Sequence, residues 1–224
     1  MSNKVVVWDL PLRIFHWSLL ICVVTSIVSG LVGGMAMTLH FLSGYCILSL
    51  LVFRWLWGFI GGHHARFLNF VAGPRRVLRY LKAGSEHEEL GHNPLGSWSV
   101  VALLSVLTMQ VVSGLFANDE IFSEGPLAGY VSDHQSTLIT YYHTSIGLPL
   151  LYGLICLHLM AILYYTIARN KNLVIPMLRG EKDVDPAHPK PYASSDTWRH
   201  RVLAVFVLCF GAALGIWVSR LGAP

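Results

Sequence analysis

The sequence has too few charged residues for a water-soluble protein. Only 12% of its 224 residues are Asp, Glu, Lys or Arg, and 54% are hydrophobic, whereas soluble domains carry about 25% charged residues. A soluble fold of this length does not cover its surface with so few charges, so the composition indicates an integral membrane protein. The net charge of +4 is concentrated in connecting segments, so it does not indicate binding to nucleic acid.

Two further absences narrow the class of protein. The four cysteines all fall in apolar segments, and none forms a Cys-x-x-Cys-His motif, which excludes covalent attachment of a c-type haem. No repeat of 20–50 residues is present. The apolar run after Arg13 is too long for the core of a signal peptide, so we interpret it as an uncleaved first transmembrane span.

The sequence contains five long apolar segments. Each is close to the roughly 20 residues that cross a hydrocarbon core, and each holds almost no ionisable side chain. We therefore predict an all-α integral membrane protein with five transmembrane helices. The predicted helices cover about residues 14–37, 40–60, 96–117, 141–168 and 202–218.

The distribution of charge predicts the orientation in the membrane. Basic residues cluster in the segments 61–95 and 169–201, whereas the connection 118–140 has four acidic residues and no Lys or Arg. By the positive-inside rule, the N-terminus and both basic segments face the cytoplasm, and the acidic connection faces outward. The five spans alternate consistently with this assignment. We expect a multi-pass protein of the inner membrane, surrounded by lipid.

Four of the eleven histidines lie in or at the ends of the apolar spans: His16, His40, His143 and His158. A polar side chain is costly there unless it faces the bundle interior and has a partner. A single such histidine is more often a satisfied interior residue, but four of them are hard to explain in that way. Haem iron is a partner that neutral imidazole satisfies well. Zinc prefers a tetrahedral set of neighbouring ligands, which two separated pairs do not form.

Chain direction sorts these histidines into two pairs at different depths. The first helix starts on the cytoplasmic side, so His16 lies there, and the inward-running fourth helix places His158 near it. The second helix starts on the outer side with His40, where the fourth helix places His143. Fifteen residues of helix span about 22 Å and leave two side chains about 60° apart, and Pro149 between them can kink or rewind the helix. We predict two bis-histidine haem sites stacked across the membrane.

Other polar residues near the spans are candidates for supporting roles. Arg13 and Arg54 can each pair with a haem propionate, as guanidinium does with carboxylate, or extend to the inner boundary as arginines commonly do. His92 and Asn93 at the entrance of the third helix can contact a quinone, or serve only to begin that helix. His134 is the alternative ligand to His143. The remaining histidines are expected to be solvated: His63, His64, His87, His188 and His200.

Three segments also carry a family resemblance. Residues 11–17 (PLRIFHW), 40–44 (HFLSG) and 91–94 (GHNP) resemble the opening, the second-helix ligand segment and the third-helix entrance of bacterial cytochrome b561 proteins. The resemblance is especially to the cytochrome b subunit of membrane-bound nickel–iron hydrogenases. His158, eleven residues after Gly147, matches the inner ligand of that family. The family's two ligands on the fourth helix usually stand one residue closer together than His143 and His158.

The resemblance covers about residues 8–180 and implies a function. It implies a four-helix core with two non-covalent b-type haems, ligands on helices one, two and four, and electron exchange with quinone. The expected role is electron transport across the bacterial inner membrane between the quinone pool and a periplasmic redox partner, of the hydrogenase or cytochrome c kind. The segment 181–224 is then a cytoplasmic linker followed by an added fifth helix.

Two other functions remain open at this point. A stand-alone quinone-linked oxidoreductase, such as a superoxide:quinone oxidoreductase, turns over with quinone when purified alone, whereas a subunit of a complex needs its partner. A haem-free transporter or structural membrane protein shows no reducible Soret band. The sequence is also compatible with a homo-oligomer.

Overall fold

The structure is a computed structural model that describes residues 3–83, 90–121, 123–184 and 193–222. It is a helical bundle with five helices that are long and apolar enough to cross a membrane, which confirms the predicted fold class. The helices are α1 (Leu10–Val32), α2 (Met37–Ile60), α3 (Phe67–Phe70), α4 (Pro74–Ala83), α5 (Pro94–Phe116), α6 (Asp133–Tyr141), α7 (Leu148–Ile167), α8 (Val174–Arg179) and α9 (Trp198–Ser219).

Helix α1 begins before the predicted boundary because Asp9 caps it. The carboxylate of Asp9 accepts a hydrogen bond from the backbone N–H of Leu12 at 2.8 Å, which satisfies one of the free donors at the helix start. Pro11 fits the first turn because its missing N–H would have no partner there. The helix ends at Gly33, whose φ of +67° is open to glycine, so the turn into α2 comes earlier than the predicted position near residue 38.

The fourth span is longer than predicted and is not a regular α-helix throughout. Ser132 and Gln135 form a capping box that starts α6 at Asp133. The chain then passes through a π-helical turn (Tyr142–Gly147) into α7, which makes a continuous span of 35 residues. Pro149, the second residue of α7, has no N–H to donate to the preceding turn. The helix is therefore rewound just before Pro149.

The fifth span, α9, packs along α2. A Cβ atom on Gly211 would overlap the backbone carbonyl of Ser49, and one on Gly215 would overlap the hydroxyl of the same serine. Small residues let two helix backbones approach closely. Helix α9 is therefore part of the bundle and supports α2 from the side.

A short antiparallel strand pair closes one end of the bundle. Strand β1 (Asn3–Val6) pairs with β2 (Glu181–Val184), and the backbone N–H of Val7 donates to the carbonyl of Gly180 at 2.8 Å. The expected division at residue 180 therefore falls inside a hydrogen-bonded unit. We call this the basic end, since it carries residues 61–83 and 169–184, and we call the opposite end, with residues 117–132, the acidic end.

Asp9 joins α1 to the end of α2 within the basic end. Its carboxylate is buried and accepts hydrogen bonds from the indole N–H of Trp57 at 3.2 Å and from the backbone N–H of Gly62 at 3.2 Å. Burial raises the pKa of Asp9, and these hydrogen bonds oppose the rise. The carboxylate thus ties the first two helices together.

Candidate haem-ligand histidines

The structure brings His40 and His143 side by side near the acidic end. Their ring centroids are 6.2 Å apart, and the ring planes are at 88° to each other. Two imidazoles that share one metal ion through nitrogen bonds of about 2 Å have centroids about 6 Å apart. The spacing of these two rings therefore suits a single metal ion between them.

Backbone carbonyls hold both rings through the same ring nitrogen. His40 Nδ1 lies 2.8 Å from the carbonyl oxygen of Ser26, and His143 Nδ1 lies 2.9 Å from that of Gln110. A carbonyl oxygen only accepts, so each Nδ1 carries the proton, and each neutral ring keeps the lone pair of Nε2 for another partner. Metal-bound histidines commonly donate their other ring N–H in this way.

A glycine lies four residues after each of these carbonyls and makes room for the ring. A Cβ atom on Gly30 of α1 would lie 2.9 Å from His40 Nδ1, and one on Gly114 of α5 would lie 2.9 Å from His143 Cε1. Both distances are shorter than real Cβ contacts. Helix α1 therefore holds the ring of His40 in the same way as α5 holds that of His143: a backbone carbonyl accepts the hydrogen bond, and a glycine leaves space for the ring.

An apolar cavity of about 240 Å³ lies against the two rings. Its walls include Ile47, Leu107 and Leu151, together with Gly44, one turn after His40. A Cβ atom on Gly44 would meet no atom within 4 Å, so the backbone of α2 is bare on the side that faces the cavity. Paired imidazoles, apolar walls and a bare backbone are features that fit a flat, largely apolar haem.

The second pair, His16 and His158, is arranged less tightly. The two residues are close enough to interact electrostatically, but their rings, both within the described part of the chain, make no contact with each other. The Nδ1 atom of His16 is buried without a hydrogen-bond partner, and its ring lies edge-on to Trp17 at 5.2 Å. A buried ring nitrogen without a partner needs an explanation, and a bound group in the bundle interior would provide one.

The two arginines singled out from the sequence are held by backbone carbonyls of the basic end. Arg54 is only 2% exposed; it donates to the carbonyl of Ala65 at 3.2 Å and lies over the ring of Phe67 at 4.6 Å. The guanidinium of Arg54 therefore reaches the basic end of the bundle but stays buried there. Arg13 donates to the carbonyl of Leu178 at 2.6 Å, while its Nε atom is buried without a partner.

His92 lies in an aromatic sandwich beside the second pair. Its ring centroid is 4.8 Å from that of Trp8 and 4.6 Å from that of Phe70, and its Nδ1 atom is buried without a partner. Burial and the positive charge of Arg54 lower the pKa of His92 to about 3, with a smaller contribution from His158. His92 is therefore a neutral imidazole near neutral pH.

Asn93 has the helix-entry role that the sequence suggests, and it has a second contact. Its side-chain oxygen accepts from the backbone N–H of Gly96 at 2.7 Å, which caps α5. Its amide nitrogen donates to the hydroxyl of Tyr165 at 2.7 Å, and that hydroxyl lies 2.8 Å from the hydroxyl of Tyr80. A chain of polar groups thus joins α5, α7 and α4 at the basic end.

The other histidines do not replace these residues. His134 is exposed in the first turn of α6 and is absent from the cavity that His143 lines. His200 is hydrogen-bonded to the hydroxyls of Ser195 and Thr197. His63 and His64 are partly exposed, and their ring centroids lie 5.1 Å apart, so these two side chains are only partly solvated. His87 and His188 lie outside the described residues.

Five apolar spans with paired interior histidines define a membrane protein of the b-type cytochrome class. Comparison with known proteins supports this: the family model described as prokaryotic cytochrome b561 matches residues 7–180, and the chain belongs to that family. As a b-type cytochrome of the membrane, it binds haem b and transfers electrons. The resemblance noted in the sequence is thus confirmed.

The curated relatives have related names at modest identity. A probable Ni/Fe-hydrogenase B-type cytochrome subunit of Bradyrhizobium diazoefficiens is 25% identical over 216 residues, which cover 80% of this chain and 85% of the relative. A protein of the same description from Rhizobium leguminosarum bv. viciae is 22% identical over 221 residues, with coverage of 80% of this chain and 89% of the relative. Another from Azotobacter chroococcum is 25% identical over 218 residues, with coverage of 80% of this chain and 88% of the relative. No solved structure matches the chain.

Proposed function

We propose that the chain binds two b-type haems and carries electrons across the bacterial inner membrane between the quinone pool and a periplasmic redox partner. His40 and His143 hold one haem, and His16 and His158 hold the other. The observation that carries this proposal is the 6.2 Å approach of His40 and His143, with Nδ1 of each ring directed to a backbone carbonyl. The basic end then faces the cytoplasm by the positive-inside rule.

The residues of the chain determine which chemistry is available. Each histidine pair would hold its haem through two imidazoles, and the bound haem would supply electron exchange rather than a position for substrate. The histidines fix the two binding positions, and the apolar walls of the cavity exclude water. The buried guanidinium of Arg54 and the unpartnered Nε of Arg13 are the groups that can neutralise propionates at the basic end.

The acidic end is the proposed contact site for the redox partner. Asn118 and Asp119 of the acidic connection line the same cavity as His40 and His143, so a protein bound there lies next to that haem site. A basic surface on the partner would complement the acidic residues. The names of the relatives favour a hydrogenase-like partner, and a cytochrome c is the alternative.

Quinone is proposed to bind at the basic end, near His158. His92 is within electrostatic range of His158 and has a buried nitrogen without a partner. Asn93 and Tyr165 add two polar groups beside it. A neutral imidazole and an amide are suitable hydrogen-bond partners for a quinone oxygen.

The haem content of single His→Ala variants tests the two sites. Purified wild-type protein should contain two haems per chain, with a reducible Soret band. His40→Ala and His143→Ala should lose the same haem, and His16→Ala and His158→Ala should lose the other. His134→Ala is the matched control, since its ring is exposed, and it should keep both. A colourless, folded protein from haem-replete cells would refute the proposal.

Electron delivery tests the quinone and partner assignments separately. Quinol should reduce the haems of the purified chain, and His92→Leu should slow this reduction without changing haem content. Steady-state turnover should require an added redox partner. Turnover of the isolated chain with superoxide and quinone would instead identify a stand-alone oxidoreductase.

A further inference from the structure

Gln110, a buried polar residue of α5, contacts His143 at two points. Its backbone carbonyl accepts the hydrogen bond from His143 Nδ1 at 2.9 Å, and its side-chain Nε2 donates to the backbone carbonyl of His143 at 2.8 Å. The residue is only 7% exposed. We propose that Gln110 is a positioning residue that fixes both the ring and the backbone of this haem ligand. The inference rests on the proposed ligation by His143.

The local helix geometry explains why His143 needs support from a neighbouring helix. His143 lies in the π-helical turn Tyr142–Gly147, and Pro149 follows two residues after that turn. A π-helical turn and a proline each interrupt the regular i→i−4 hydrogen bonds. The backbone position of His143 is thus less firmly set by its own helix than that of a residue in a regular α-helix. The amide of Gln110 supplies a hydrogen bond to this backbone from α5.

The orientation of the Gln110 amide is determined by its surroundings. If its oxygen and nitrogen were exchanged, Oε1 would face the carbonyl oxygen of His143, and two acceptors do not pair. In the observed orientation Oε1 is buried without a hydrogen-bond partner. A buried unpaired oxygen is costly, and such groups are found where another requirement outweighs the cost. Here the hydrogen bond from Nε2 to the carbonyl of His143 fixes the orientation of the amide, and this orientation leaves Oε1 unpaired.

Gly147 leaves the space that Gln110 occupies. A Cβ atom on Gly147 would overlap Gln110 Oε1, so the amide fits between α5 and the π-helical turn only because residue 147 has no side chain. An alanine at this position would displace the Gln110 amide while residues 110 and 143 keep their identity, although its methyl group would also lie 3.0 Å from Cε1 of Tyr142. Gly147→Ala is therefore a second, independent way to remove the same contact.

His40 provides the internal comparison. Its Nδ1 also donates to a backbone carbonyl, that of Ser26, but His40 lies in the first turn of the regular helix α2 rather than in a π-helical turn. Donation from Nδ1 makes a histidine a more basic ligand, which favours the ferric state and lowers the reduction potential. Removal of the Gln110 side chain keeps the backbone carbonyl of residue 110 but frees the backbone of His143, so its ring can move away and the bond from Nδ1 weakens. The potential of the haem at His143 should therefore rise, and that of the haem at His16 and His158 should stay unchanged.

Redox titration of the haem-loaded full chain tests this inference. Gln110→Leu should raise the midpoint potential of the acidic-end haem and shift its low-spin EPR signal, with no change for the other haem. Gly147→Ala should shift both readouts in the same direction, and the double variant should shift them no further than Gln110→Leu alone. Thr108→Val is the matched control, since Thr108 is a hydrogen-bonded residue of α5 that contacts Trp55 instead, and it should change neither readout.

The outcomes separate this inference from the proposed function. If both Gln110→Leu and Gly147→Ala leave the potential and the EPR signal of the acidic-end haem unchanged, Gln110 does not position His143. If His143→Ala keeps the acidic-end haem, the ligand assignment itself is wrong. Should Gln110→Leu fail to accumulate, Gly147→Ala alone decides, because it displaces the same amide from the opposite side.

Discussion

Gly30→Ala should weaken haem binding at the acidic end without touching a ligand. The added methyl group would lie 2.9 Å from His40 Nδ1 and 3.1 Å from Cε1, whereas carbon contacts are favourable at about 3.5–4.0 Å. The ring must therefore move by about half an ångström or more, away from the carbonyl of Ser26. Overpacking of this kind costs about 1–3 kcal/mol, so we expect a 5- to 150-fold loss of haem affinity, at about 1.4 kcal/mol per tenfold change.

The assay is haem titration of the protein purified from haem-limited cells, followed by the reduced-minus-oxidised spectrum. Gly153→Ala is the matched control, because a Cβ atom there meets no atom within 4 Å and the residue is exposed on α7. That variant should bind both haems like the wild type. Wild-type affinity for both haems in Gly30→Ala would show that His40 does not depend on close contact with α1.

Three further changes test the packing and the charges of the bundle. His92→Phe keeps a ring between Trp8 and Phe70 but removes a histidine whose folded-state pKa of about 3 lies below its ordinary 6.5. The unfolded chain takes up this proton as the pH falls below 6.5 and the folded chain does not, so the free energy of unfolding of the wild type falls on acidification. That of His92→Phe should fall more slowly, by up to about 1.4 kcal/mol less per pH unit. Thermal unfolding of both proteins between pH 6.5 and 4 measures the difference. Asp9→Ala leaves three buried donors unpaired, those of Leu12, Trp57 and Gly62, and should lower the free energy of unfolding by about 2–4 kcal/mol, whereas an unchanged midpoint would show that the carboxylate is dispensable. Gly211→Leu should separate α9 from α2 and lower the unfolding midpoint while both haems remain bound; loss of a haem would show that α9 supports a ligand.

The spans could be predicted from the sequence, and their ends could not. Hydrocarbon demands about 20 apolar residues per crossing, and this requirement leaves a strong signal in the composition of each segment. Helix ends instead depend on single capping residues such as Asp9 and Ser132, which look like ordinary loop residues in the sequence. The pairing of β1 with β2 brings together four-residue segments that are far apart in the chain, and so short a strand has no recognisable pattern.

The proximity of His40 and His143 could be predicted because the direction of each helix sets the depth of its histidine. The pairing of His40 with His143 follows from the depth at which each helix places its histidine, whereas the carbonyl groups that hold the rings leave no trace in the sequence. Neither Gly114 nor Gly30 is distinguished in the sequence from other glycines of the apolar spans. Gln110 did have a signal that sequence reasoning missed. It is a polar residue with a long side chain in the middle of an otherwise apolar span, and burial of such a group requires a partner.

The π-helical turn absorbs one of the fifteen residues that separate His143 from His158. Fifteen residues of α-helix leave two side chains about 60° apart, and fourteen leave them about 40° apart in the opposite sense. A π-helical turn contains one residue more than an α-helical turn at nearly the same rotation, so fifteen residues with one such turn orient the histidines like fourteen. The extra residue therefore does not move His158 out of the bundle interior.

This interpretation predicts different effects for two deletions of the same length. Removal of Ser145, which is exposed within the π-helical turn, should convert the turn to regular α-helix, keep the relative orientation of the two histidines and retain both haems. Removal of Leu157, which is exposed in the regular part of α7, should rotate His158 relative to His143 by about 100° and release the haem at one end. Haem content per chain and the reduced-minus-oxidised spectrum distinguish the two deletions. Equal haem loss in both would mean that the π-helical turn is not the place where the additional residue is absorbed.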